Sequence, residues 1–330
     1  MTAVLVSHRC NAGFGADFVA AARRDGIELE LLVLPMDPEA RIDDAVAARA
    51  EAAYFSGDVF PGFSRQFFSA TRKASGLKWL QVFNAGVDHP VFASILERGV
   101  RLTTAAGSTA APIAQTAIAA MLYLARNFPR WIASQRNHQW DPMRAPDLPC
   151  DLRGQVMLVY GLGGIGMEIA RLARVLGLYV VGVRRNAIKT EHVDEVHTPD
   201  KLPGLLARSD WLVIACPLTD ETRGMINAAL LAKLPQGARV INIARGEIVA
   251  EPALIAALQS GHLGGAYLDV FAQEPLPANS PLWDMPNVLV TPHNSSASAG
   301  NEARVNAIFL DNLKRWQRNE PLVNEVDKSQ

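Results

Sequence analysis

Cysteine is scarce in this chain of 330 residues, which has only Cys10, Cys150 and Cys216. The number is odd, the three lie far apart, and no C-x-x-C pair occurs, so neither a disulfide framework nor a zinc knuckle is predicted. His192 and His197 form no recognised zinc spacing either, and we predict no metal site. Scattered free thiols are typical of a reducing cytoplasm, where we expect the protein.

Net charge and membrane-spanning segments are lacking as well. Lysine and arginine total 32 against 33 aspartates and glutamates, a formal net charge of −1, and there is no long basic run. Nucleic acid and anionic membranes are therefore not expected partners. The start, MTAVLVSHRC, has no basic region and too short an apolar run for a signal peptide, and it predicts a first strand. The apolar stretch Ala110–Ala125 contains Gln115 and Thr116 and is shorter than a membrane span, so it predicts a buried or interfacial helix.

The sequence does contain apolar strand patterns that alternate with helical patterns. Hydrophobic residues make up 49% of the chain, which is ample for two cores. Alternation of this kind is the signature of a parallel sheet covered by helices. The first predicted series of strands is Ala3–Ser7, Glu28–Val33, Ala52–Phe55, Trp79–Phe83 and Arg101–Thr103. The second series is Val156–Tyr160, Tyr179–Val183, Trp211–Ala215, Arg239–Asn242, Gly265–Asp269 and Val288–Thr291.

The run from Gln155 to Arg185 predicts one strand–turn–helix–strand unit around a glycine fingerprint. Gly161 permits a tight turn, Gly163 lets the backbone approach a pyrophosphate on the helix N-terminus, and Gly166 lets the helix pack close to its strand. Because strands and a helix flank the motif, it predicts a dinucleotide site rather than an ordinary glycine turn. The predicted site comprises Gly161, Leu162, Gly163, Gly164, Ile165 and Gly166.

Two arginines end the second strand of this unit. An NAD site usually has an acidic residue there to accept hydrogen bonds from the ribose 2′-hydroxyl, whereas this chain has Arg184 and Arg185. Guanidinium groups pair with a 2′-phosphate through charge-assisted bonds. The sequence therefore favours NADP(H), with NAD(H) and two solvated arginines as the alternative.

The two series of strands predict two lobes. We place the substrate-binding (catalytic) domain at residues 1–103 and 297–330, and the NADP-binding domain at residues 104–296. The last predicted helix, about Ser298 to Asn319, joins the first lobe because its apolar residues have a spacing that suits packing on a sheet; they are Val305, Ile308, Phe309 and Leu313. A chain that crosses twice between lobes would leave a cleft for a small substrate. The proline-containing stretch Trp140 to Pro149 predicts a surface connection.

Arg245, Glu274 and His293 each follow a predicted strand, where doubly wound sheets place ligands. Arg245 can hold a carboxylate and polarise a carbonyl, or it can be an exposed loop arginine. Glu274 can equally be a solvated loop acid. His293 precedes a helical pattern with serine and asparagine as candidate caps, and a lone histidine is more often structural than catalytic. From these residues alone the alternatives stay open.

Taken together, the ordered motifs resemble the D-isomer-specific 2-hydroxyacid dehydrogenase family. The resemblance covers about residues 80 to 318, while the first 75 residues match only in overall pattern. It implies an α/β fold of two Rossmann-like doubly wound lobes, a flavodoxin-like substrate-binding lobe and a dinucleotide-binding lobe, with a cleft between them. The motifs are AGVDH at Ala85–His89, GLGGIG at Gly161–Gly166, CPLTDETRGMIN at Cys216–Asn227, INIARGEIV at Ile241–Val249, GAYLDVFAQEPLP at Gly265–Pro277 and NVLVTPH at Asn287–His293.

The resemblance implies that Arg245, Glu274 and His293 are catalytic. Hydride would pass to the carbonyl carbon of a 2-oxo acid, and His293 would donate the proton as general acid, since histidine ordinarily titrates near neutrality. Glu274 would orient the imidazole and stabilise its protonated form, and Arg245 would bind the carboxylate and stabilise the alkoxide.

The same resemblance assigns further binding residues. Asp269 would contact the nicotinamide carboxamide, although a strand-end acid that caps a turn is the alternative. The remaining cofactor contacts would come from Cys216, Pro217, Ala244 and His293. The substrate would be held by the backbone of Ala85, Gly86 and Val87 together with Arg245 and His293.

Within the family, an NADP-type pocket and this compact length look most like the glyoxylate and hydroxypyruvate reductases. The resemblance also suggests a homodimer formed through the nucleotide lobe, with helix 110–126 as a surface, although core burial explains that helix equally well. Trp140 could reach a partner's active site or be a buried interface tryptophan. The main alternative is a non-catalytic NAD(P)(H)-sensing protein of the same fold. A short-chain dehydrogenase is disfavoured because none of the five tyrosines has a lysine four residues on.

Two short segments depart from the family pattern. The helix commonly read as A-E-H is Ala114-Gln115-Thr116 here, and His293 is followed by Asn294, Ser295 and Ser296 rather than an apolar residue and small ones. Both departures bear on subfamily and substrate preference.

Overall fold

The computed structural model describes residues 2–87 and 89–326. The chain divides into two compact units, one formed by residues up to Ser108 with those from Ala299 onward, the other by Thr109–Ser298. Each unit is built on a parallel β-sheet, which confirms the predicted α/β class with two Rossmann-like lobes. The functions assigned to the two units stay predictions.

The first unit has a sheet of five parallel strands. The strands are β1 (Thr2–Val6), β2 (Leu29–Val33), β3 (Ala52–Phe55), β4 (Trp79–Val82) and β5 (Arg101–Thr103). Their order across the sheet is β2-β1-β3-β4-β5. The helices are α1 (His8–Cys10), α2 (Ala16–Arg24), α3 (Asp44–Ala48), α4 (Ser64–Lys73) and α5 (Pro90–Glu97), with a π-helical turn at Asn11–Gly15 and a 3₁₀ turn at Gly57–Val59.

The second unit has a sheet of seven strands. They are β6 (Val156–Tyr160), β7 (Tyr179–Val183), β8 (Glu195–His197), β9 (Trp211–Ile214), β10 (Ala238–Asn242), β11 (Leu263–Leu268) and β12 (Val288–Val290). The helices are α6 (Ala110–Ala125), α7 (Phe128–Arg136), α8 (Gly164–Val175), α9 (Leu202–Leu206), α10 (Ala228–Leu231) and α11 (Glu251–Gln259), with 3₁₀ turns at Pro199–Lys201, Gly246–Ile248 and Pro281–Trp283.

The strand order of the second sheet, β12-β11-β10-β9-β6-β7-β8, reverses between β6 and β9. Along the chain the sheet grows from β6 in one direction through β8, and then from β9 in the other. Ligands of doubly wound sheets bind beyond the carboxyl ends of the strands at such a reversal. Gly161 follows β6 and Cys216 lies close behind β9, so both lie at this point of the sheet.

The last helix, α12 (Asn301–Gln317), packs on the sheet of the first unit. Phe309 is fully buried there and stacks on Tyr54 of β3, with ring centroids 4.4 Å apart. The Tyr54 hydroxyl donates to Asn306 Oδ1 at 2.6 Å, which satisfies a polar group inside the core. The helix thus closes the core of the first unit from the far end of the chain.

Helix α6 packs mainly into the core of its own unit. Half of its residues are buried, among them Ile113, Ala117 and Met121, and they pack with residues of β6 and α8 such as Val159 and Ile169. The sequence left core burial and an intersubunit surface open for this helix, and burial accounts for its apolar character. In the part of the chain that the structure describes, no helix has the length and apolarity to cross a membrane.

Candidate active site

The glycine fingerprint forms a tight turn between β6 and α8. Gly161 has φ 105°, and a Cβ there would lie 2.6 Å from backbone atoms of Ala215 and Cys216. A Cβ on Gly166 would lie 1.9 Å from the carbonyl oxygen of Gly161. A Cβ on Gly163 would meet no atom within 4 Å, and the start of α8 has no side-chain cap. The turn therefore leaves open space in front of backbone N–H groups at a helix N-terminus, where anions bind.

Two apolar side chains of the fingerprint pack into the core of the second unit. Leu162 is 6% exposed, and its side chain packs so closely on β7 that a Cβ on Gly182 would lie 2.5 Å from it. Ile165 is partly buried against the same core. Leu162 therefore presents only its backbone to a ligand.

Arg184 and Arg185 lie directly after β7, as predicted. The backbone N–H of Arg184 donates to the carbonyl of His197 at 3.0 Å, so the edge strand β8 holds this end of β7. Arg184 is half-buried and Arg185 is exposed. The pKa of Glu221, in the loop after β9, is held below its ordinary value chiefly by a hydrogen bond from Thr219, and the charge of Arg185 adds to that effect. Arg185 thus lies within electrostatic range of the loop that contains Pro217.

Cys216 is 7% exposed at the carboxyl end of β9. Burial raises the pKa of its thiol to about 12, so it is not a thiolate nucleophile near neutrality. Its predicted place on the adenosine side of a cofactor stays a prediction.

Arg245 lies in a loop that a buried asparagine holds. Asn242, 1% exposed at the end of β10, donates through Nδ2 to the Arg245 carbonyl at 3.0 Å and accepts from the Ala244 N–H at 3.1 Å. The Arg245 Nη1 donates to the Ala244 carbonyl at 2.8 Å. These bonds hold the backbone of Ala244 and Arg245 in place.

Gly246 brings this loop against the loop that carries Glu274. A Cβ on Gly246 would lie 1.8 Å from the carbonyl carbon of Phe271 and 2.4 Å from the amide nitrogen of Ala272. The Phe271 N–H donates to Glu274 Oε1 at 3.1 Å. The loops of Arg245 and Glu274 therefore share a backbone contact that only glycine permits.

Glu274 and His293 form a direct pair. Glu274 Oε2 lies 2.8 Å from His293 Nδ1, and the two side chains are 37% and 48% exposed. Since a carboxylate accepts, Nδ1 carries a proton in this contact and Nε2 is the nitrogen that remains for exchange with a ligand. His293 has φ 50°, a left-handed conformation that is uncommon outside glycine.

Asp269 is 1% exposed, and its carboxylate is surrounded by hydrogen-bond donors of the protein. Its carboxylate receives hydrogen bonds from Thr291 and from the residues after His293. The predicted contact with a nicotinamide carboxamide stays a prediction. Asn294 and Ser295 do not cap the following helix, because α12 begins only at Asn301 with Gly300 at its N-cap; the prediction of a serine or asparagine cap is wrong.

The predicted carboxylate-binding loop lies in the first unit, after β4. Ala85 is exposed, while Gly86 and Val87 are half-buried. Asn84 Nδ2 donates to the Gly86 carbonyl, and the Asn84 carbonyl accepts from Ala105 N–H at 3.0 Å. Asp88 of the same motif lies outside the described residues.

Sequence reasoning missed the supporting residues. Asn242 and Asn84 each follow or end a strand and bond to backbone a few residues on, which is a known habit of asparagine in turns. An asparagine at the end of an apolar strand was the available signal for both. The close approach of Gly246 to Phe271 could not be predicted, because it joins residues that are distant in sequence.

The chain is similar in sequence to known dehydrogenases. Residues 118–295 match the family model described as D-isomer specific 2-hydroxyacid dehydrogenase, NAD binding domain. The chain is 32% identical to the glyoxylate reductase/hydroxypyruvate reductase of Homo sapiens over 76% of this chain and 77% of that protein. It is 30% identical to the D-3-phosphoglycerate dehydrogenase of Methanocaldococcus jannaschii over 77% of this chain, but the match spans only 48% of that longer protein.

Solved structures agree. A D-isomer specific 2-hydroxyacid dehydrogenase of Xanthobacter autotrophicus in complex with NADPH and MES has a TM-score of 0.77 and 33% identity, covering 99% of this chain and 98% of that one. An NADPH-dependent glyoxylate/hydroxypyruvate reductase of Sinorhizobium meliloti in complex with NADP and sulfate has a TM-score of 0.76 and 28% identity, with coverage of 99% and 98%. The chain belongs to the D-isomer-specific 2-hydroxyacid dehydrogenase family of NAD(P)-dependent oxidoreductases.

Proposed function

We propose that the protein is an NADPH-preferring reductase that converts a small 2-oxo acid, of the glyoxylate or hydroxypyruvate type, into its D-2-hydroxy acid. The observation that carries this proposal is the pair of His293 Nδ1 and Glu274 Oε2 at 2.8 Å, beside the loop of Arg245. An accessible imidazole, a carboxylate that orients it and a neighbouring guanidinium are the groups that reduction of a 2-oxo acid requires.

The second unit offers residues that fit a dinucleotide. Gly161 and Gly166 form the tight turn, and a Cβ on Gly163 would meet no atom within 4 Å, so the space in front of the N–H groups at the start of α8 can take a pyrophosphate. When bound there, the reduced cofactor supplies the hydride. Arg184 and Arg185 would pair with a 2′-phosphate, since no carboxylate stands at the end of β7 to repel it.

In this proposal His293 is the general acid. Glu274 holds Nδ1, which leaves Nε2 to donate a proton to the carbonyl oxygen of the substrate as negative charge develops there. The side chain is 48% exposed, so the imidazole can be reprotonated from solvent after each turnover. In the reverse direction the same nitrogen would act as general base.

Arg245 binds and polarises the substrate. Its guanidinium carries a permanent charge in a half-buried loop, where it can pair with the substrate carboxylate and stabilise the developing alkoxide. The backbone of Ala85, Gly86 and Val87, in the first unit, stays a separate candidate for carboxylate binding that rests on the family resemblance. A binding loop of small residues suits a small acid such as those in the names of the Homo sapiens and Sinorhizobium meliloti relatives.

Initial rates of cofactor oxidation test the proposal. With glyoxylate and hydroxypyruvate, we expect turnover with NADPH to exceed that with NADH, and a chiral assay of the product from hydroxypyruvate should give the D-isomer. Turnover with NADH alone would contradict the cofactor preference but keep the enzyme class. Binding of NADPH with no turnover of any small 2-oxo acid would contradict the reductase and support a dinucleotide sensor.

The arginines give that test a matched variant. Arg184→Ala combined with Arg185→Ala should raise the KM for NADPH about tenfold or more, because a charge-assisted phosphate contact is lost, and should leave the KM for NADH nearly unchanged. Arg174→Ala is the control, since Arg174 is exposed at the opposite end of α8 and pairs with Asp194. An equal effect on both cofactors would show that the arginines do not read the 2′-phosphate.

We also propose a homodimer formed through the second unit. Large apolar side chains are exposed on α7 and the segment after it; Trp131 is 39%, Leu148 59% and Trp140 96% exposed. Arg130 pairs with Asp141 at 2.7 Å, which ties the segment beside Trp140 to α7. Such exposed apolar groups are typical of an interface. Sedimentation equilibrium should give twice the chain mass of 35.7 kDa, and a monomer at micromolar concentration would contradict the dimer.

A further inference from the structure

One buried carboxylate binds the chain on both sides of His293. Asp269, which follows β11, accepts from Thr291 Oγ1 at 2.5 Å, two residues before the histidine. It also accepts from the Asn294 N–H at 2.8 Å, from the Ser295 N–H at 3.1 Å, and from the Ser295 hydroxyl. Four donors thus meet a carboxylate that has about four acceptor positions.

This arrangement explains how His293 keeps an unfavourable backbone. The residue has φ 50°, and such conformations outside glycine persist only where the surrounding contacts enforce them. Its own N–H donates to the Asp269 carbonyl at 2.8 Å, so residue 269 contacts residue 293 and the residues around it. The imidazole is half exposed, so packing restrains it little, and the backbone direction decides whether Nδ1 meets Glu274.

Ser295 contributes two of the four donors and is 4% exposed. Its carbonyl accepts from the hydroxyl of Thr116 on α6 at 3.2 Å, a hydroxyl that is shared with the Pro112 carbonyl at 2.9 Å. Ser295 and Thr116 each belong to one of the two segments in which the sequence departs from the family pattern, Asn294–Ser296 and Ala114–Thr116. The structure shows that these two departures contact each other beside the candidate general acid.

We propose that Ser295 is a positioning residue for the reduction, acting through Asp269 to hold the backbone of His293 so that the imidazole stays on Glu274. Thr291 is its counterpart on the other side of the histidine, and Thr116 supports Ser295 from α6. This inference rests on the proposed function, in which His293 donates the proton. The hydrogen bonds of Ser295 join it to Asp269 and Thr116 rather than to the imidazole, so we expect loss of its hydroxyl to slow proton transfer and to leave substrate affinity nearly unchanged.

The test compares three variants of the full chain. Ser295→Ala removes a hydroxyl from Asp269, and Thr291→Val removes the other one while keeping the side-chain shape. Ser209→Ala is the matched control, because Ser209 is fully buried in the same unit, its hydroxyl donates to the Leu205 carbonyl at 2.8 Å, and it precedes β9 at the end of the strand opposite to the site. A general loss of stability would appear in all three.

We expect Ser295→Ala and Thr291→Val each to lower kcat roughly tenfold, since small misplacement of a catalytic group is costly, with KM for the 2-oxo acid and Kd for NADPH within about twofold of wild type. Ser209→Ala should keep kcat. A tenfold higher Kd for NADPH with unchanged kcat would overturn the inference and favour the contact of Asp269 with the nicotinamide. Unchanged kcat in both variants would overturn it as well.

A spectroscopic readout separates this inference from the proposed function. In protein labelled with ¹³C-histidine, the Cε1–H signal of His293 is assigned by its absence from His293→Asn. In Ser295→Ala it should broaden or split as the imidazole leaves Glu274, and in Ser209→Ala it should not. If wild-type protein turns over no 2-oxo acid, the proposed function fails while this signal still decides the positioning; an unperturbed signal in Ser295→Ala overturns the positioning alone.

Discussion

Replacing His293 by asparagine is expected to lower kcat by about 10²- to 10⁴-fold, the usual contribution of a positioned general acid. The imidazole is the group that Glu274 holds at 2.8 Å, and asparagine cannot deliver a proton near neutral pH. Asparagine is preferred to alanine here because His293 has φ 50°, and asparagine adopts that left-handed conformation more readily than most residues. The variant therefore removes the acid and leaves the backbone intact.

The chain provides a control of the same kind. His192 also has a left-handed backbone, with φ 62°, lies in the same unit, and forms an ion pair with Glu191, its neighbour in the chain, at 3.9 Å. His192→Asn should keep kcat and the Kd for NADPH. His293→Asn should keep the Kd for NADPH, measured by quenching of tryptophan fluorescence, and lose turnover with saturating substrate. Wild-type kcat in His293→Asn would refute the role of the histidine in proton transfer.

Most strands of the two sheets could be predicted from the sequence, because the central strands are buried on both faces and read as apolar runs. Segments such as VMLVY at Val156–Tyr160 and WLVI at Trp211–Ile214 are continuous apolar runs, which is what parallel sheets between helices require. The edge strand Glu195–His197 was missed. Its sequence, EVH, is half-buried and mostly polar, and it forms a strand only because β7 lies beside it.

In the candidate site, too, features with a local cause could be predicted and contacts between distant residues could not. The glycine turn has a local cause, since φ 105° at Gly161 and the closeness of Gly166 to Gly161 arise within six residues, and the fingerprint predicted both. The proposed catalytic set of Arg245, Glu274 and His293 came from the resemblance to the family, since the residues alone left their alternatives open. The contacts that hold it, from Asn242 to Arg245 and from Asp269 to Ser295, depend on side chains at strand ends. Ser295 lies 26 residues from Asp269, and no pattern in the sequence predicts that the two are in contact.

Gly246→Ala is the second change with a large expected effect, because the added Cβ has no space. It would lie 1.8 Å from the carbonyl carbon of Phe271, 2.1 Å from its oxygen and 2.4 Å from the nitrogen of Ala272, all of them backbone atoms that cannot rotate away. The loops of Arg245 and Glu274 must separate to admit it. We expect the free energy of unfolding to fall by about 1–3 kcal/mol, the usual cost of overpacking.

We also expect kcat/KM of Gly246→Ala to fall, even at a temperature at which the variant is fully folded. Separation of the two loops moves Arg245 away from Glu274 and its partner His293, and misplacement of catalytic groups by about 1 Å costs on the order of 10²-fold in rate. Gly204→Ala is the control, since a Cβ at Gly204 in α9 meets no atom within 4 Å. Urea unfolding and kcat/KM at a temperature where both variants are folded check the two effects. If Gly246→Ala keeps wild-type kcat/KM, the backbone contact between the Arg245 and Glu274 loops does not set the geometry of catalysis, and the arginine must reach the substrate independently of the carboxylate and histidine.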